Sequence, residues 1–361
     1  MSTPVIPETI TVHLGLPDDT SAANVRVPFV DYIKNVASSE IYPTWPEAAI
    51  RANILAQISF AMNRVYTEWY RSRGYDFDIT STTQFDQKYT PGKEVFENIG
   101  QIVDEIFNDY VVRQGEVEPL FTQYCNGTTV TCDGLSQWGT VDLAEQGLVP
   151  YEILQYYYGD DIGIVRDAPT GHNLPSYPGR VLRLGDVGEE VRNIQRQLNR
   201  IARNYPAIGG PLDLDGIYGA ETEAAVRRFQ QIFNLTADGI VGKATWYQIK
   251  AIYNAVKGLG ELAGEGLGLD EVDRAFPKVL RPGDTGTAIR TIQYYLAVIA
   301  FFDNSLPQVA VNGVFDDATE RAVRDVQRAA GLEVTGVVGL EVTGVVGPLT
   351  WAAIAALAQG V

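Results

Sequence analysis

The thiol and imidazole side chains, which suit disulfide formation or zinc binding, are few in this 361-residue chain: two cysteines and two histidines. Cys125 and Cys132 flank a short turn in the segment YCNGTTVTCDG. Two cysteines this close in sequence form a disulfide in an oxidising compartment, or stay as paired thiols. A zinc site built from Cys and His would need all four residues, including His13 and His172, to converge. A disulfide or a thiol pair is therefore the favoured interpretation, and neither a metal nor another cofactor is expected.

The charge of the chain excludes several classes of partner. The formal net charge is −17, and residues 1–165 alone, with 9 basic and 23 acidic residues, carry −14. Nucleic acids and anionic membranes need a cationic surface, so neither is expected to bind. The sequence contains no run of 18 or more apolar residues, which is the length that a membrane-spanning helix needs. The opening segment MSTPVIPETITVHLG lacks the basic and apolar regions of a conventional signal peptide, so any export is expected to follow another route.

The N-terminal part of the chain, residues 1–165, contains no repeat and is predicted to be one α+β domain. Within the helix predicted over Pro46–Trp69, the apolar residues recur on one face, as a core-facing helix requires. The other predicted elements are a strand over Thr9–Gly15 and helices over Phe96–Val111 and Glu152–Tyr158. Residues 166–180, which contain three prolines, and the glycine-rich residues 257–277 are predicted to be linkers.

The C-terminal half is a repeat. LRLGDVGEEVRNIQRQLNRI, which begins at Leu182, is matched 98 residues later by LRPGDTGTAIRTIQYYLAVI. DGIYGAETEAAVRRFQ, which begins at Asp215, is matched 97 residues later by NGVFDDATERAVRDVQ. We therefore predict two copies of one small module, over residues 181–256 and 278–361. The helical spacing of their apolar residues predicts three short helices around a small core in each copy, an all-α fold.

The second copy differs from the first in ways that predict a different use. Asp215, Gly219 and Phe229 are replaced by Asn312, Asp316 and Val326. The octapeptide LEVTGVVG also occurs twice in tandem, over residues 332–339 and 340–347, and predicts an extra β-like loop. We expect the second module to serve packing, either within the chain or between chains.

The first module resembles the three-helix peptidoglycan-binding module found on many cell-wall hydrolases. The resemblance rests on LRLGDVGEEVRNIQRQLN, DGIYGAETEAAVRRFQ and ADGIVGKATW, and the second module fits it nearly as well. It implies that glycan strands or stem peptides of peptidoglycan are the partner, and with it a cell-wall, spore or extracellular location reached without a conventional signal peptide. Two sites on one chain would add avidity on a polymeric wall. Tyr218 and Phe315 are expected to be exposed aromatic contacts. The substrate-binding residues expected in the two modules are Asp215, Gly216, Tyr218, Thr222, Gln230, Asn312, Phe315 and Thr319.

The N-terminal domain is similar to the SpoIID/LytB family of sporulation and amidase-enhancer proteins. Its opening, VRVPFVDYIKNVASSEIYPTWPEAAIRANILAQISFA, and its close, GLSQWGTVDLAEQGLVPYEILQYYYGDDI, match the two end motifs of that family in order. The sporulation members are lytic transglycosylases of peptidoglycan, and their catalytic glutamate falls on Glu40. The resemblance implies that Glu40 is the catalytic acid. The expected substrate-binding residues beside it are Tyr42, Trp45, Asn53 and Gln137.

One carboxyl group is enough for that chemistry, because the 6-hydroxyl of N-acetylmuramic acid replaces water as the nucleophile. The glutamate needs a pKa raised by burial, which the apolar neighbours of Glu40 would supply. Ile58 and Thr122 replace an arginine and a zinc-binding histidine of the family, which leaves an alternative open. In it the catalytic fold has degenerated into a structural protein that self-assembles, as a homo-oligomer, or decorates a spore, a cell surface or a phage-like particle.

Overall fold

The structure, a computed structural model, describes residues 4–172, 175–267, 279–303, 305–332 and 344–358. It confirms an α+β N-terminal domain followed by two three-helix modules. Helix α2 is the centre of the N-terminal domain, because nearly all of its side chains are buried. The helices of this domain are α1 (Phe29–Glu40), α2 (Glu47–Tyr66), α3 (Glu97–Ile106), α4 (Gln137–Glu145) and α5 (Pro150–Tyr158), with a 3-10 turn η1 (Arg71–Arg73).

Short strands surround this helical centre. They form a three-stranded sheet in the order β3-β2-β4 and three two-stranded pairs, β1-β9, β5-β8 and β6-β7. The strands are β1 (Ile6–Pro7), β2 (Thr9–His13), β3 (Asn24–Pro28), β4 (Ile79–Thr80), β5 (Tyr110–Arg113), β6 (Tyr124–Cys125), β7 (Leu135–Ser136), β8 (Ile162–Val165) and β9 (Thr170–Gly171). β2 confirms the predicted first strand, in which residues alternate between the core and the surface.

The helix predicted over Phe96–Val111 is too long by five residues. The helix ends at Ile106, and Tyr110–Arg113 forms β5 instead. Val111 lies opposite Ile164 in the antiparallel pair with β8. The valines of this segment are apolar, so they fit the helical pattern of the preceding residues. They are also β-branched, which favours a buried strand over a helix.

Each module contains the three helices that its sequence predicts. They are α6 (Glu189–Asn204), α7 (Ala220–Ile232) and α8 (Lys243–Lys257) in the first module, with a 3-10 turn η2 (Pro206–Ile208), and α9 (Thr287–Phe302), α10 (Asp317–Ala329) and α11 (Pro348–Leu357) in the second. Most of the duplicated octapeptide, residues 333–343, lies outside the described residues, so the predicted extra loop stays a prediction. The end of its second copy, from Gly344, connects to α11.

Helix α9 joins the second module to the N-terminal domain. Unlike α6, it is buried on nearly every side, because its outer face packs on β8. Gly163 of β8 makes this close approach possible, since a Cβ there would lie 2.7 Å from the ring of Phe301. The hydroxyl of Tyr294 also donates to the carbonyl of Val117 (3.0 Å). The second module therefore packs on the N-terminal domain through α9, and its use for packing in place of binding stays a prediction.

The two segments predicted to be linkers are packed against the N-terminal domain where they are described. β9, in the first of them, pairs in parallel with β1. In the second, the carbonyl of Leu259 accepts a hydrogen bond from the side chain of Asn63 (2.8 Å), and Gly260 lies directly against the ring of Trp69. Both segments are therefore fixed connectors over these residues.

Two carboxyl groups lie together under the second connector. The backbone N–H of Leu267 donates to Glu118 (2.6 Å). Burial and the neighbouring Glu118 raise the pKa of Glu116 to about 9, and burial raises that of Glu118 to about 7. The ordinary value of both is 4.5. Above pH 4.5 the unfolded chain loses these protons while the folded protein keeps them. The free energy of unfolding therefore falls as the pH rises from 4.5 towards about 9.

We expect Glu116→Gln to raise the free energy of unfolding by about 1–3 kcal/mol at about pH 8 and to change it little at about pH 4. The amide keeps the shape of a protonated carboxyl group and has no proton to lose. Urea unfolding at the two pH values measures the effect, with Glu94→Gln at an exposed position as the matched control. A destabilised Glu116→Gln variant at about pH 8 would contradict the raised pKa of Glu116.

Candidate active site

Glu40 is the last residue of α1, and its carboxylate accepts three hydrogen bonds. The Tyr124 hydroxyl (2.6 Å) and the Gln57 side-chain nitrogen (2.9 Å) donate to Oε2. The backbone N–H of Lys88 donates to Oε1 (2.7 Å). The donors come from β6, from α2 and from the loop that follows β4, so the folded domain brings together residues as far as 84 positions apart.

The surroundings of Glu40 change its acidity. Burial raises the pKa of its carboxyl group to about 7, although the hydrogen bonds from Lys88, Tyr124 and Gln57 act in the opposite direction. A carboxyl group that titrates near neutral pH can give up a proton and take it back, as a general acid and base must.

A second layer of hydrogen bonds lies behind these donors. Gln87 donates to the Tyr124 hydroxyl (3.1 Å) and to the Gln57 carbonyl (3.0 Å). Its own side-chain oxygen accepts from the Tyr32 hydroxyl (3.0 Å). The polar groups around Glu40 are thus held by a connected network, which fixes their orientation.

Tyr42 and Trp45, which follow Glu40 closely in the chain, form an aromatic cluster with Trp138 of α4. The centroid of Trp45 lies 5.6 Å from that of Tyr42 and 4.9 Å from that of Trp138, and Tyr42 lies 5.7 Å from Trp138. Tyr42 is 54% exposed and Trp138 42% exposed, whereas Trp45 is only 8% exposed and supports them. We call these residues the aromatic cluster. Trp138 was not predicted as a site residue, although the SQWG segment that contains it was part of the resemblance.

Asn53 and Gln137, the other residues predicted at this site, are buried. Asn53 donates to the Thr140 hydroxyl (2.8 Å) and to the Ala49 carbonyl (2.9 Å), so it joins α2 to α4. The side-chain nitrogen of Gln137 has no hydrogen-bond partner among the described residues. The structure therefore gives Asn53 a packing role, which corrects the prediction that it contacts substrate.

The cysteines lie beside the site. Cys125 and Cys132 form a disulfide, and Cys125 directly follows Tyr124. The carbonyl of Asn126, in the loop that the disulfide closes, accepts from the backbone N–H of Trp138 (3.2 Å). Thr122, at the position of the zinc-binding histidine of the family, is buried and donates to the Ala56 carbonyl (2.6 Å). Within the described ranges, no group of three His, Cys, Asp or Glu side chains could hold a metal ion.

In the first module, residues predicted to bind substrate hydrogen-bond to Gln195 and attach the loop before α7 to helix α6. The Gln195 side-chain nitrogen donates to the Asp215 carboxylate (2.8 Å), the Ile217 carbonyl (3.0 Å) and the Thr222 hydroxyl (3.3 Å). Its side-chain oxygen accepts from the Gly216 N–H (3.0 Å). We call this arrangement a glutamine clasp. It satisfies buried polar groups of a Gly-containing turn, which would otherwise be costly.

The clasp occurs four times in the described part of the chain. Gln230, Gln293 and Gln327 occupy the position of Gln195 and bind the loops at Gly239, Gly313 and Gly344. The bonds of Gln293 go to Asn312 (3.0 Å) and Thr319 (2.9 Å). Each module is therefore built from two half-repeats, a finer period than the one the sequence comparison found. Gln230, Thr222 and Thr319 are buried in clasps, which corrects their prediction as ligand contacts.

The prediction that Tyr218 and Phe315 are exposed aromatic contacts is wrong. Tyr218 is 0% exposed and its hydroxyl donates to the Gly239 carbonyl (2.9 Å), while Phe315 is 1% exposed. Their rings fill the core between the clasped loops, where an aromatic side chain buries the most apolar area. Asp215 and Asn312 are exposed at the loop surface and remain predictions as binding residues.

The surface of the first module carries exposed apolar side chains next to these loops: Leu184, Val187, Leu214 and Ile217. Val187 and Ile217 face each other across an isolated β-bridge. The equivalent bridge of the second module joins Thr285 to Val314, so one of its two residues is polar. Within the described residues, no helix is both long and apolar enough to cross a membrane.

The protein is modular. One domain holds the buried Glu40 carboxyl group, whose pKa is about 7, and is the candidate catalytic unit, and two small helical modules follow it. Residues 18–109 match the family model described as stage II sporulation protein (SpoIID), and residues 187–249 and 285–341 match that of a peptidoglycan binding domain. The chain therefore carries a SpoIID domain followed by two peptidoglycan binding domains, in the order that the sequence predicts.

Curated relatives share parts of the chain. A zinc D-Ala-D-Ala carboxypeptidase of Streptomyces albus G is 48% identical over 65 residues, which is 18% of this chain and 24% of the relative. The N-acetylmuramoyl-L-alanine amidase CwlL of Bacillus licheniformis is 30% identical over 44% of this chain and 42% of its own. An autolytic lysozyme of Clostridium acetobutylicum is 28% identical over 47% and 55%. The chain thus spans about a quarter to just over half of the length of these relatives.

Proposed function

We propose that the protein binds peptidoglycan at the cell wall, on a spore or on another extracellular surface, and cleaves glycan strands there as a lytic transglycosylase. The observation that carries the catalytic part is the Glu40 carboxyl group, whose pKa is raised by burial to about 7. The names of the relatives, a carboxypeptidase, an amidase and a lysozyme, support the wall as the ligand.

Glu40 would act twice in this reaction. It first protonates the glycosidic oxygen, and the bond from that oxygen to the anomeric carbon of N-acetylmuramic acid breaks. The 6-hydroxyl of the same sugar then attacks that carbon, and the Glu40 carboxylate takes its proton. The products are a strand with a 1,6-anhydro end and a strand with a free hydroxyl group. The three groups that hydrogen-bond Glu40 are neutral, which suits a mechanism with one carboxylate.

The aromatic cluster would hold the sugar. The exposed faces of Tyr42 and Trp138 offer flat apolar surfaces, on which the C–H face of a pyranose ring can pack. Trp45, buried beneath them, keeps both rings in place.

The first module would make the main contact with the wall, through the exposed apolar residues around its Val187–Ile217 bridge. We expect the pair Val187→Asp and Ile217→Asp to weaken co-sedimentation of the full chain with purified peptidoglycan about 5-fold or more, because two charges replace apolar contacts. The matched control is Thr285→Asp with Val314→Asp at the equivalent bridge of the second module, for which we expect less than a 2-fold change. Equal losses from both pairs would contradict a leading role for the first module.

Digestion of purified peptidoglycan, with and without stem peptides, tests the enzymatic part. Mass spectrometry of the soluble fragments should find 1,6-anhydromuramic ends. Retained binding without release of fragments from either substrate would refute the lytic activity. It would favour the structural alternative, a wall-binding scaffold, which light scattering for self-assembly would then examine.

A further inference from the structure

Tyr124 is in direct contact with Glu40, although neither the resemblance nor the family matches assign it a role. Its hydroxyl donates to Glu40 Oε2 over 2.6 Å, the shortest of the three hydrogen bonds on this carboxylate. O–H···O⁻ bonds of this length are among the stronger ones in proteins. Tyr124 begins β6, and Cys125 beside it is tied to Cys132, so the backbone that carries the hydroxyl is anchored.

The hydrogen bonds distinguish the two oxygens of Glu40. A carboxylate offers about two acceptor positions on each oxygen. Tyr124 and Gln57 occupy both positions on Oε2, whereas Lys88 occupies one on Oε1. Among the described residues nothing else bonds Oε1, so this oxygen keeps a position on which a proton can sit.

We propose that Tyr124 is a positioning residue that, together with Gln57, reserves Oε1 of Glu40 as the atom that delivers and recovers the proton. This proposal rests on the proposed lytic function. Tyr124 acts through Glu40, because no contact with the reacting sugar is needed.

The phenol is suited to this task because it stays protonated. Burial and the nearby Glu40 raise the pKa of Tyr124 well above its ordinary value, so its hydroxyl remains a donor at any pH at which the protein works. Gln87 donates to the oxygen of Tyr124, which directs the hydroxyl proton of Tyr124 towards Glu40. The charged and titratable groups that act on Glu40 are Lys88, from the loop after β4, Tyr124 itself, and Tyr32 of α1, behind Gln87.

The sign of the effect follows from the hydrogen bond. A donor to the carboxylate stabilises its charged form, so removal of the donor should raise the pKa of Glu40. In Tyr124→Phe we expect a rise of about one unit, and a fall in kcat of about 10-fold with little change in KM. The high-pH limb of the kcat/KM profile should move to higher pH by the same amount.

Carbon-13 NMR of selectively labelled glutamate carboxyl groups in the full chain measures the pKa of Glu40 directly, with Glu40→Gln to assign the signal. The matched control is Tyr32→Phe, which removes a buried hydroxyl of the same network two hydrogen bonds further away, behind Gln87. We expect it to shift the pKa by less than half as much. An unchanged Glu40 pKa in folded Tyr124→Phe would overturn the proposal.

A second measurement needs no variant at Tyr124. In the natural protein, the hydroxyl proton of Tyr124 should give a downfield proton resonance that moves as Glu40 titrates and disappears in Glu40→Gln. Absence of any such resonance would also overturn the proposal. Both measurements are made without glycan, so a protein that shows the pKa shift and cleaves nothing would refute the lytic function alone. Normal cleavage without the shift would refute the role of Tyr124 alone.

Discussion

Replacement of Glu40 by glutamine is expected to slow the release of fragments from peptidoglycan by about 10²–10⁴-fold, the usual contribution of a general acid and base. The amide has nearly the same shape as the carboxyl group, but it can neither protonate the glycosidic oxygen nor take the proton of the 6-hydroxyl. Timed digestion of purified peptidoglycan, with quantification of the fragments by mass spectrometry, measures the rate.

The control for this variant is Glu47→Gln, an exposed carboxyl group at the start of α2 that pairs with Arg51. It carries the same chemical change without touching the site, and its rate should stay within about 2-fold of the natural protein. Co-sedimentation should be unchanged in both variants, because the module surface is intact. A Glu40→Gln variant with undiminished activity would remove Glu40 from the mechanism.

The second large effect is expected at the contact between the first module and the N-terminal domain. Lys250 of α8 lies 2.5 Å from the Glu68 carboxylate, and both side chains are buried, at 5% and 4% exposure. The Ser176 side chain also donates to Glu68 (2.5 Å) and accepts from the indole N–H of Trp246 (3.0 Å). This buried ion pair connects the domain, the first connector and the module.

We expect Lys250→Ala to lower the free energy of unfolding by about 3–5 kcal/mol, because it leaves a buried carboxylate without its counter-charge. Burial raises the pKa of Glu68, but Lys250 and Ser176 together lower it by more. The net pKa of Glu68 is therefore below its ordinary value. The pair therefore stabilises the fold above that value and loses its effect as pH falls through the folded pKa. Urea unfolding followed by tryptophan fluorescence measures the change.

The double variant Glu68→Gln with Lys250→Met separates the charge from the packing. It removes both charges and keeps similar volumes, so it should recover most of the lost stability. A single Lys250→Ala variant that unfolds within about 1 kcal/mol of the natural protein would contradict an essential role for the pair in docking the module.

The helices and the order of domains could be predicted because they depend on local pattern. The apolar face of α6 follows the helical period, and the repeated blocks around α6 and α9 mark the two modules directly. Helix α9 also carried a signal for its burial, because its apolar residues surround the helix instead of forming one face.

The contents of the site could be predicted only where a motif marked them. Tyr124, Gln57 and Lys88 meet Glu40 from three separate segments, and no spacing along the chain predicts that meeting. Tyr218 and Phe315 were misjudged for a related reason. An aromatic residue next to aspartate in a turn suits a surface contact, but here the turn is clasped by glutamine and the ring faces inwards.

The packed connectors change how the protein would act on a wall. Tyr294 and the Lys250–Glu68 pair fix both modules on the N-terminal domain, so the aromatic cluster and the module surface keep a set relation. Binding through the first module would then present Glu40 to the wall in one orientation, which reduces the loss of freedom on reaction.

The central claim is that Glu40 drives intramolecular attack by the 6-hydroxyl, without activated water. Digestion of purified peptidoglycan in water enriched in oxygen-18 tests it most directly. Our account predicts 1,6-anhydromuramic ends, which are lighter than reducing ends by the mass of one water molecule and contain no oxygen-18. An increase during digestion in reducing muramic ends that carry oxygen-18, relative to undigested peptidoglycan kept in the same water, would contradict it, because new reducing ends arise by hydrolysis of the same bond.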